Sequence, residues 1–170
     1  MGDAMYGYPS RAYWTDIGKP QTYLDVNHDI LIGRVKQYTL HGTEIHDHVW
    51  VEGTPDIHES VQIVGPVVIG PNVRIERGAR IIGPTVIGAA CSIGPEALLD
   101  NAVLWERNRI EEGASLRACV LGSGNQIGPR SVITGGTIIS DNCVLGAENR
   151  LDHGVRLWPG TVLKDQAITF

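Results

Sequence analysis

Aromatic side chains are scarce in this 170-residue chain, with one Phe, four Trp and five Tyr, so a core of stacked rings is excluded. Lysine is rarer still: Lys19, Lys36 and Lys164 are the only ones, and the net charge is −5. That balance excludes the basic face that would hold nucleic acid or an anionic bilayer. No run approaches the ~20 apolar residues that cross a membrane, and no basic region leading into an apolar stretch lies near Met1. Cys91, Cys119 and Cys143 are far apart, with no C-x-x-C pair and no histidine beside them. This excludes a zinc ribbon and points to reduced thiols. The composition predicts a soluble, cytoplasmic protein with neither nucleic acid nor membrane as partner.

Glycine is plentiful, at 21 residues, and it falls into a pattern. The stretch "VVIGPNVRIERGARIIGPTVIG", residues 67–88, fits neither the 3.6 period of a helix nor the alternation of an isolated strand. Its aliphatics recur every six residues. From Ile57 the series runs through Ile63, Ile69, Ile75, Ile81, Ile87 and Ile93. A five-residue step then leads to Leu98, and sixes resume at Leu104, Ile110 and Leu116. A second short step gives Leu121, after which sixes run through Ile127, Ile133, Ile139, Leu145, Leu151 and Leu157 to Leu163.

Such a short fixed period means a solenoid, because each unit can bury its apolar side only against copies of itself. One hexad makes a short strand and a corner, and three strands close a coil of about 18 residues. The series predicts about six coils. Distributing units over three faces places Leu104, Leu121, Ile139 and Leu157 in one column. Their outward successors are Trp105, Gly122, Ser140 and Trp158. The two tryptophans read either as a contact surface or as rings lying flat over their neighbours.

This pattern resembles the hexapeptide-repeat family over about residues 45–168, which implies an all-β, left-handed parallel β-helix. The family includes acyltransferases, a class of carbonic anhydrases and purely structural domains, so the resemblance specifies fold more than function.

Residues 1–44 differ from residues 45–170. All five tyrosines lie within the first 38 residues. Pro20 suits the first turn of a helix running to about Arg34, with Tyr23, Leu24, Ile30 and Leu31 as its apolar stripe. The segment "YWTDIGKPQTYLDVNHDIL" resembles the end of the nucleotidyltransferase domain of sugar-1-phosphate nucleotidyltransferases, with Trp14, Asp16 and Gly18 on the signature positions. The wording of the repeats is similar to the mannose-1-phosphate guanylyltransferase branch, whose enzymes form GDP-mannose and release pyrophosphate. The resemblance implies that Asp16 helps hold Mg²⁺ at the nucleotide phosphates, as a hard oxygen ligand for a hard cation. No glycine-rich phosphate loop precedes residue 45, and an α/β nucleotide-binding domain needs far more than 44 residues. The expectation is therefore the C-terminal part of a larger enzyme, or a stand-alone relative of it. Such a chain has no catalytic residue of its own, Asp16 binds metal only with the missing domain, and its role is assembly or regulation; the alternatives are a hexapeptide-repeat acyltransferase and a stand-alone structural oligomerisation module. The plain reading of Asp16 is a loop carboxylate ahead of a helix.

Other groups allow other chemistry. His46 and His48, with His41 and Glu44 nearby, would share a face of an extended segment and could hold a transition metal. The competing reading is a polar strand over the first coil. Among the coils, His58 and His153 are about five coils apart, which argues against a shared zinc. His153 is the candidate general base of an acyltransferase, although the repeats carry no long insertion. The first edge of the solenoid is expected to lie under the Tyr-rich segment and the helix, and the last under Ile168 and Phe170. Trp105, Trp158 and Phe170 are the expected contacts of a homo-oligomer.

Overall fold

Three strands per coil wind the repeats into a left-handed parallel β-helix of about six coils in the computed structural model, which describes residues 5–169. Phe170 lies outside the described residues. Val49 pairs with Val67 and Val67 with Thr85, an offset of one 18-residue coil. One inward column runs Ile69, Ile87, Leu104, Leu121, Ile139, Leu157, in register throughout. Its first five members are buried. This is the column that the hexad count assigns to one face.

The second five-residue step falls where the count puts it, and the first falls one unit later than expected. Leu99, not Leu98, stacks between Ile81 and Leu116 and is fully buried, while Leu98 faces outward and is half-buried. Two adjacent leucines hide the phase, and only strand pairing separates them. Each short step is a corner reduced to one residue in left-handed conformation, Asn101 (φ 51°) and Ala118 (φ 47°). Strands Leu98–Leu104 and Ser115–Leu121 run through these corners and pair along their length.

The residue two before each aliphatic also points inward. At one corner these residues are Val73, Cys91, Asn108, Asn125 and Cys143, all buried. The Asn108 amide donates to the carbonyls of Trp105 and Gly122, each at 2.8 Å, and its Oδ1 accepts the Asn125 N–H at 3.0 Å. Asn125 Oδ1 in turn accepts the Cys143 N–H at 2.8 Å. The Cys91 and Cys143 thiols donate to the carbonyls of Trp105 and Trp158. Among the described residues, no buried side-chain nitrogen or oxygen lacks a partner. All three cysteines are free and buried. Burial pushes the Cys119 thiol up to about 12, so its reactive thiolate is suppressed. Glycine follows many inward aliphatics because coils approach backbone to backbone there. A Cβ on Gly88 would lie 2.6 Å from the Trp105 carbonyl carbon.

The helix α1 spans Pro20–Leu31, three residues shorter than expected, because Gly33 at φ +73° turns the chain and its N–H bonds back to the Ile30 carbonyl. Leu24 and Leu31 are its buried positions. α1 does not cover the first edge of the solenoid: it lies along the side of the middle coils, against strands Leu98–Leu104 and Ser115–Leu121. Its stripe needs an apolar surface, and the outward row Val86, Val103, Val120, Ile138 supplies one. Val103 is 4% exposed although it points away from the core. At the first edge, strand Thr43–His46 pairs antiparallel with Val49–Val51 and covers one of three sides. At the last, Ile168 packs against the core and its N–H bonds to Asn149 Oδ1 at 3.0 Å. No helix of the described residues is long and apolar enough to cross a membrane.

Substitutions along residues 125–127 test this interior. Ile127→Ala should cost roughly 2–5 kcal/mol by leaving a cavity in the stack. Asn125→Ala should cost about 1–3 kcal/mol by stranding the buried Cys143 N–H. Gln126→Ala, on the outward face, should stay within about 0.5 kcal/mol of the parent. Urea denaturation measures all three. An Asn125→Ala protein as stable as Gln126→Ala would remove the structural role given to the polar column.

Candidate functional site

Residues 13–19 lead into α1 as an extended loop, tied down at one point. The Tyr13 hydroxyl donates to Asp29 Oδ2 at 2.9 Å, and Arg34 Nη1 reaches Asp29 Oδ1 at 2.9 Å. The Tyr13 hydroxyl, and after it Arg34, hold the Asp29 carboxyl below its usual range. Partial burial and then the bond to Asp29 raise Tyr13. Beyond this anchor Trp14 stands 83% exposed. Asp16 Oδ1 accepts the Gly18 N–H at 3.0 Å, closing a tight Asx turn. The structure thus gathers the signature residues Trp14, Asp16 and Gly18 on one loop. Asp16 is the turn-former there, and no cluster of three metal-binding side chains occurs among the described residues.

Where this loop meets the solenoid, two neighbouring cavities form one groove. The first, about 260 Å³, is bounded by Ile17, Tyr23, Trp105, Val120 and Ile138. The second, about 570 Å³, is floored by corner residues Ala118, Gly135, Gly136 and Gly154. Lys19, Pro20 and Arg156 border both. Trp105 Nε1 donates to the Tyr23 hydroxyl at 3.3 Å, linking the solenoid row to α1. The site therefore has an apolar, aromatic half and a small-residue half, with two cations between them. Neither Lys19 nor Arg156 belongs to a motif that marks a site; only the placement of α1 brings them together.

The other candidates separate. His46 ends its strand, whereas His48 sits in the following turn at φ 59°, so the two do not share an extended face. The His48 N–H binds Glu44 Oε1 at 2.8 Å and its ring lies against Trp50, while His41 packs edge-on to Tyr38. A left-handed turn residue breaks the alternation on which the metal reading rested. His58 Nδ1 meets Ser60 Oγ at 2.9 Å, and His153 occupies a corner at φ 56°, its side chain 93% exposed with Asp152 Oδ2 3.6 Å from Nδ1. Trp105 and Trp158 do lie in one row. Trp105 is 50% exposed, partly under α1, and Trp158 is 83% exposed.

Residues 46–151 match the family described as "EIF2B subunit epsilon LbH domain", LbH denoting the left-handed β-helix. The UTP--glucose-1-phosphate uridylyltransferase of Synechocystis sp. is 36% identical over 104 residues, covering 61% of this chain and 27% of that protein. The bifunctional sugar-1-phosphate nucleotidylyltransferase/acetyltransferase of Sulfurisphaera tokodaii is 29% identical over 136 residues, covering 79% of this chain and 30% of that protein. The chain thus spans less than a third of the length of these two relatives. Among solved structures, a hexapeptide transferase family protein from Anaplasma phagocytophilum superposes with a TM-score of 0.62 at 24% identity, over 69% of this chain and 76% of that one. That likeness is one of fold. Together these matches describe a hexapeptide-repeat β-helix related in fold to hexapeptide transferases and in sequence to part of the sugar nucleotidyltransferases.

The Tyr13–Asp29 anchor gives the loop a pH window. Asp29 has a folded pKa below its unfolded value, so its contribution is full above about pH 4 and is lost as pH falls through the lower folded value. Tyr13 is raised, so its contribution is full below about pH 10 and is lost as pH rises through the higher folded value. Tyr13→Phe and Asp29→Asn should each speed tryptic cleavage after Arg11 at pH 7.5 several-fold without lowering the melting temperature of the coils. Unchanged cleavage in both would show that the anchor does not hold the loop.

Proposed function

We propose a function from the premise that this chain belongs to the left-handed β-helix family of the EIF2B subunit epsilon domain: it is a β-helix module that assembles or regulates a sugar-1-phosphate nucleotidyltransferase. The observation that carries this reading is the anchored signature loop. Tyr13 and α1 fix the loop to the solenoid, while Trp14 and Ile17 are turned to solvent at 83% and 56% exposure. An apolar surface held rigidly in this way suits a second folded domain. The resemblance of residues 13–31 to the end of a nucleotidyltransferase domain, and the sequence relatives, favour such an enzyme as the source of that domain. The wording of the repeats favours the mannose-1-phosphate guanylyltransferase branch. On this reading Asp16 joins a Mg²⁺ site only when a nucleotide-binding domain supplies further ligands, and the chain alone transfers nothing. Copies of the chain associate through the row bearing Trp158.

A second reading is acyl transfer, favoured by the relative that combines nucleotidyl- and acetyltransferase in its name. In this chain it would use His153 as general base, with Asp152 beside its Nδ1.

Three measurements test the readings. Light scattering at micromolar concentration should report more than one subunit, and Trp158→Ala should shift the balance toward monomer; a parent protein that is cleanly monomeric would overturn the assembly role. Calorimetry with acetyl-coenzyme A should show no saturable heat. Micromolar binding that is weakened in His153→Ala would put acyl transfer first. Pyrophosphate release from any nucleoside triphosphate and sugar 1-phosphate pair by the chain alone would also refute the module reading.

A further inference from the structure

The first and last coils of the solenoid match each other. Ile57 and Leu163 are the outermost members of one inward column, which runs between them through Ile75, Ile110 and Leu145. The inner members are buried, whereas Ile57 and Leu163 are only partly so. Each end therefore lacks the neighbour that the repeat supplies elsewhere. A second copy set head-to-tail supplies it in register, with Ile57 of one copy on Leu163 of the other and Asp56 on Val162. Charge favours that order. Residues 43–61 hold five acidic side chains, Glu44, Asp47, Glu52, Asp56 and Glu59, and no lysine or arginine. Residues 150–168 hold three cations, Arg150, Arg156 and Lys164, against the two acids Asp152 and Asp165. An acidic head thus faces a tail of net positive charge, while two heads would repel.

Bare ends of this kind would join copies into an open filament. Each end carries one strip of extra chain, and the two strips lie over different faces. At the head, Thr43–His46 lies outside Val49–Val51, over the column that ends at Arg156–Leu157. At the tail, the Ile168 carbonyl accepts the Arg150 N–H at 2.6 Å and the Ile168 N–H donates to Asn149 Oδ1, over the column that starts at Gln62–Val64. Among the described residues, only the third face is bare at both ends, with Asp56–Ile57 at the head and Val162–Leu163 at the tail. One strand layer is about 4.8 Å thick, so either strip alone holds the remaining faces of a head-to-tail joint a full hydrogen-bonded layer apart.

We propose that the head and the tail of the solenoid are complementary docking surfaces for a second copy of this chain, and that Thr43–His46 and the Ile168 segment are stops that each keep them apart. The stops leave the row of Trp158 free, so this inference goes beyond the assembly role given above and does not depend on it. All four residues of Thr43–His46 are exposed, so the head stop can be lifted without opening the core. The tail stop rests on two hydrogen bonds and one partly buried side chain.

The test uses chains that all carry Trp158→Ala, so that lateral association does not mask the ends, and it is read by analytical ultracentrifugation. The tail stop is lifted by ending the chain at Asp165, or by Ile168→Pro, which loses the N–H given to Asn149. The head stop is lifted by Glu44→Pro with His46→Pro, since proline offers no N–H to strand pairing; Ile45→Pro takes their place if the pair abolishes the cooperative melt. Each variant alone should keep the size of the Trp158→Ala chain. Mixed in equal amounts at micromolar concentration, a head-open and a tail-open variant should form a one-to-one pair and grow no further, because the outer ends of the pair are still stopped. A chain with both stops lifted should instead form rods whose length rises with concentration. Both products should weaken as salt is raised. Val162→Asp in the tail-open variant, at a position 68% exposed, should weaken the pair by about tenfold or more, because Asp56 of the other copy then meets a like charge. Absence of a pair between two folded variants would overturn the proposal. Growth of either variant alone would overturn the role of its remaining stop, and a pair indifferent to Val162→Asp would overturn the joint. None of these outcomes depends on association through Trp158, so the assembly reading stands or falls separately.

Discussion

The structure depends on the inter-coil register, which requires the inward aliphatic of each strand to sit on that of the strand one coil below. Parallel pairing at a fixed offset satisfies the backbone donors and acceptors and stacks the side chains at once. An error in one coil would propagate to every later one. The two short corners show how an exception is absorbed. Asn101 and Ala118 occupy the same corner in successive coils, so both coils lose a residue at one place. Ile93, Ile110 and Ile127 consequently remain stacked on the next face. The corner adopts left-handed dihedrals that Asn tolerates and Ala adopts at some cost.

The same two coils receive α1. Their outward valines form part of an apolar row, and the helix that lies on them fixes where the signature loop ends. The Tyr13–Asp29–Arg34 chain then sets the direction of the loop. The groove at this junction is thus built from elements distant in sequence: a loop before residue 20, a helix, and corners near residues 118, 135 and 154. The coils act as a ruler along which those pieces are placed.

Much of this fold was legible, because a period of six is a physical statement about which side chains face each other. The column of Leu104, Leu121, Ile139 and Leu157 follows from counting alone. Counting fails at Leu98 and Leu99, where two residues of the same type compete for one position and hydrogen bonding decides. It also passes over the polar column of Asn108 and Asn125, because a search phased on aliphatics does not score a buried amide. Histidine spacing misleads at His46 and His48, since a left-handed turn between strands is invisible to an argument from alternation. The groove was the least legible feature: Lys19 and Arg156 are 137 positions apart, and nothing local marks either. The signature loop could be recognised by its residues, but nothing in them marks the hydroxyl–carboxylate bond of Tyr13 to Asp29, whose partners are 16 residues apart.

The seat of α1 also orders events in time. Tyr23 meets its partner Trp105 across 82 residues of chain, and the strand Ser115–Leu121 that completes the seat lies further on. During synthesis at ~5–20 residues per second, the helix leaves the ribosome several seconds before its docking surface exists. Twelve residues are too few to hold a stable helix alone, so the emerging segment waits as a tethered strand of unformed chain while the coils wind behind it. Docking of α1 is then a late, latch-like event, possible only once the middle of the solenoid has been made.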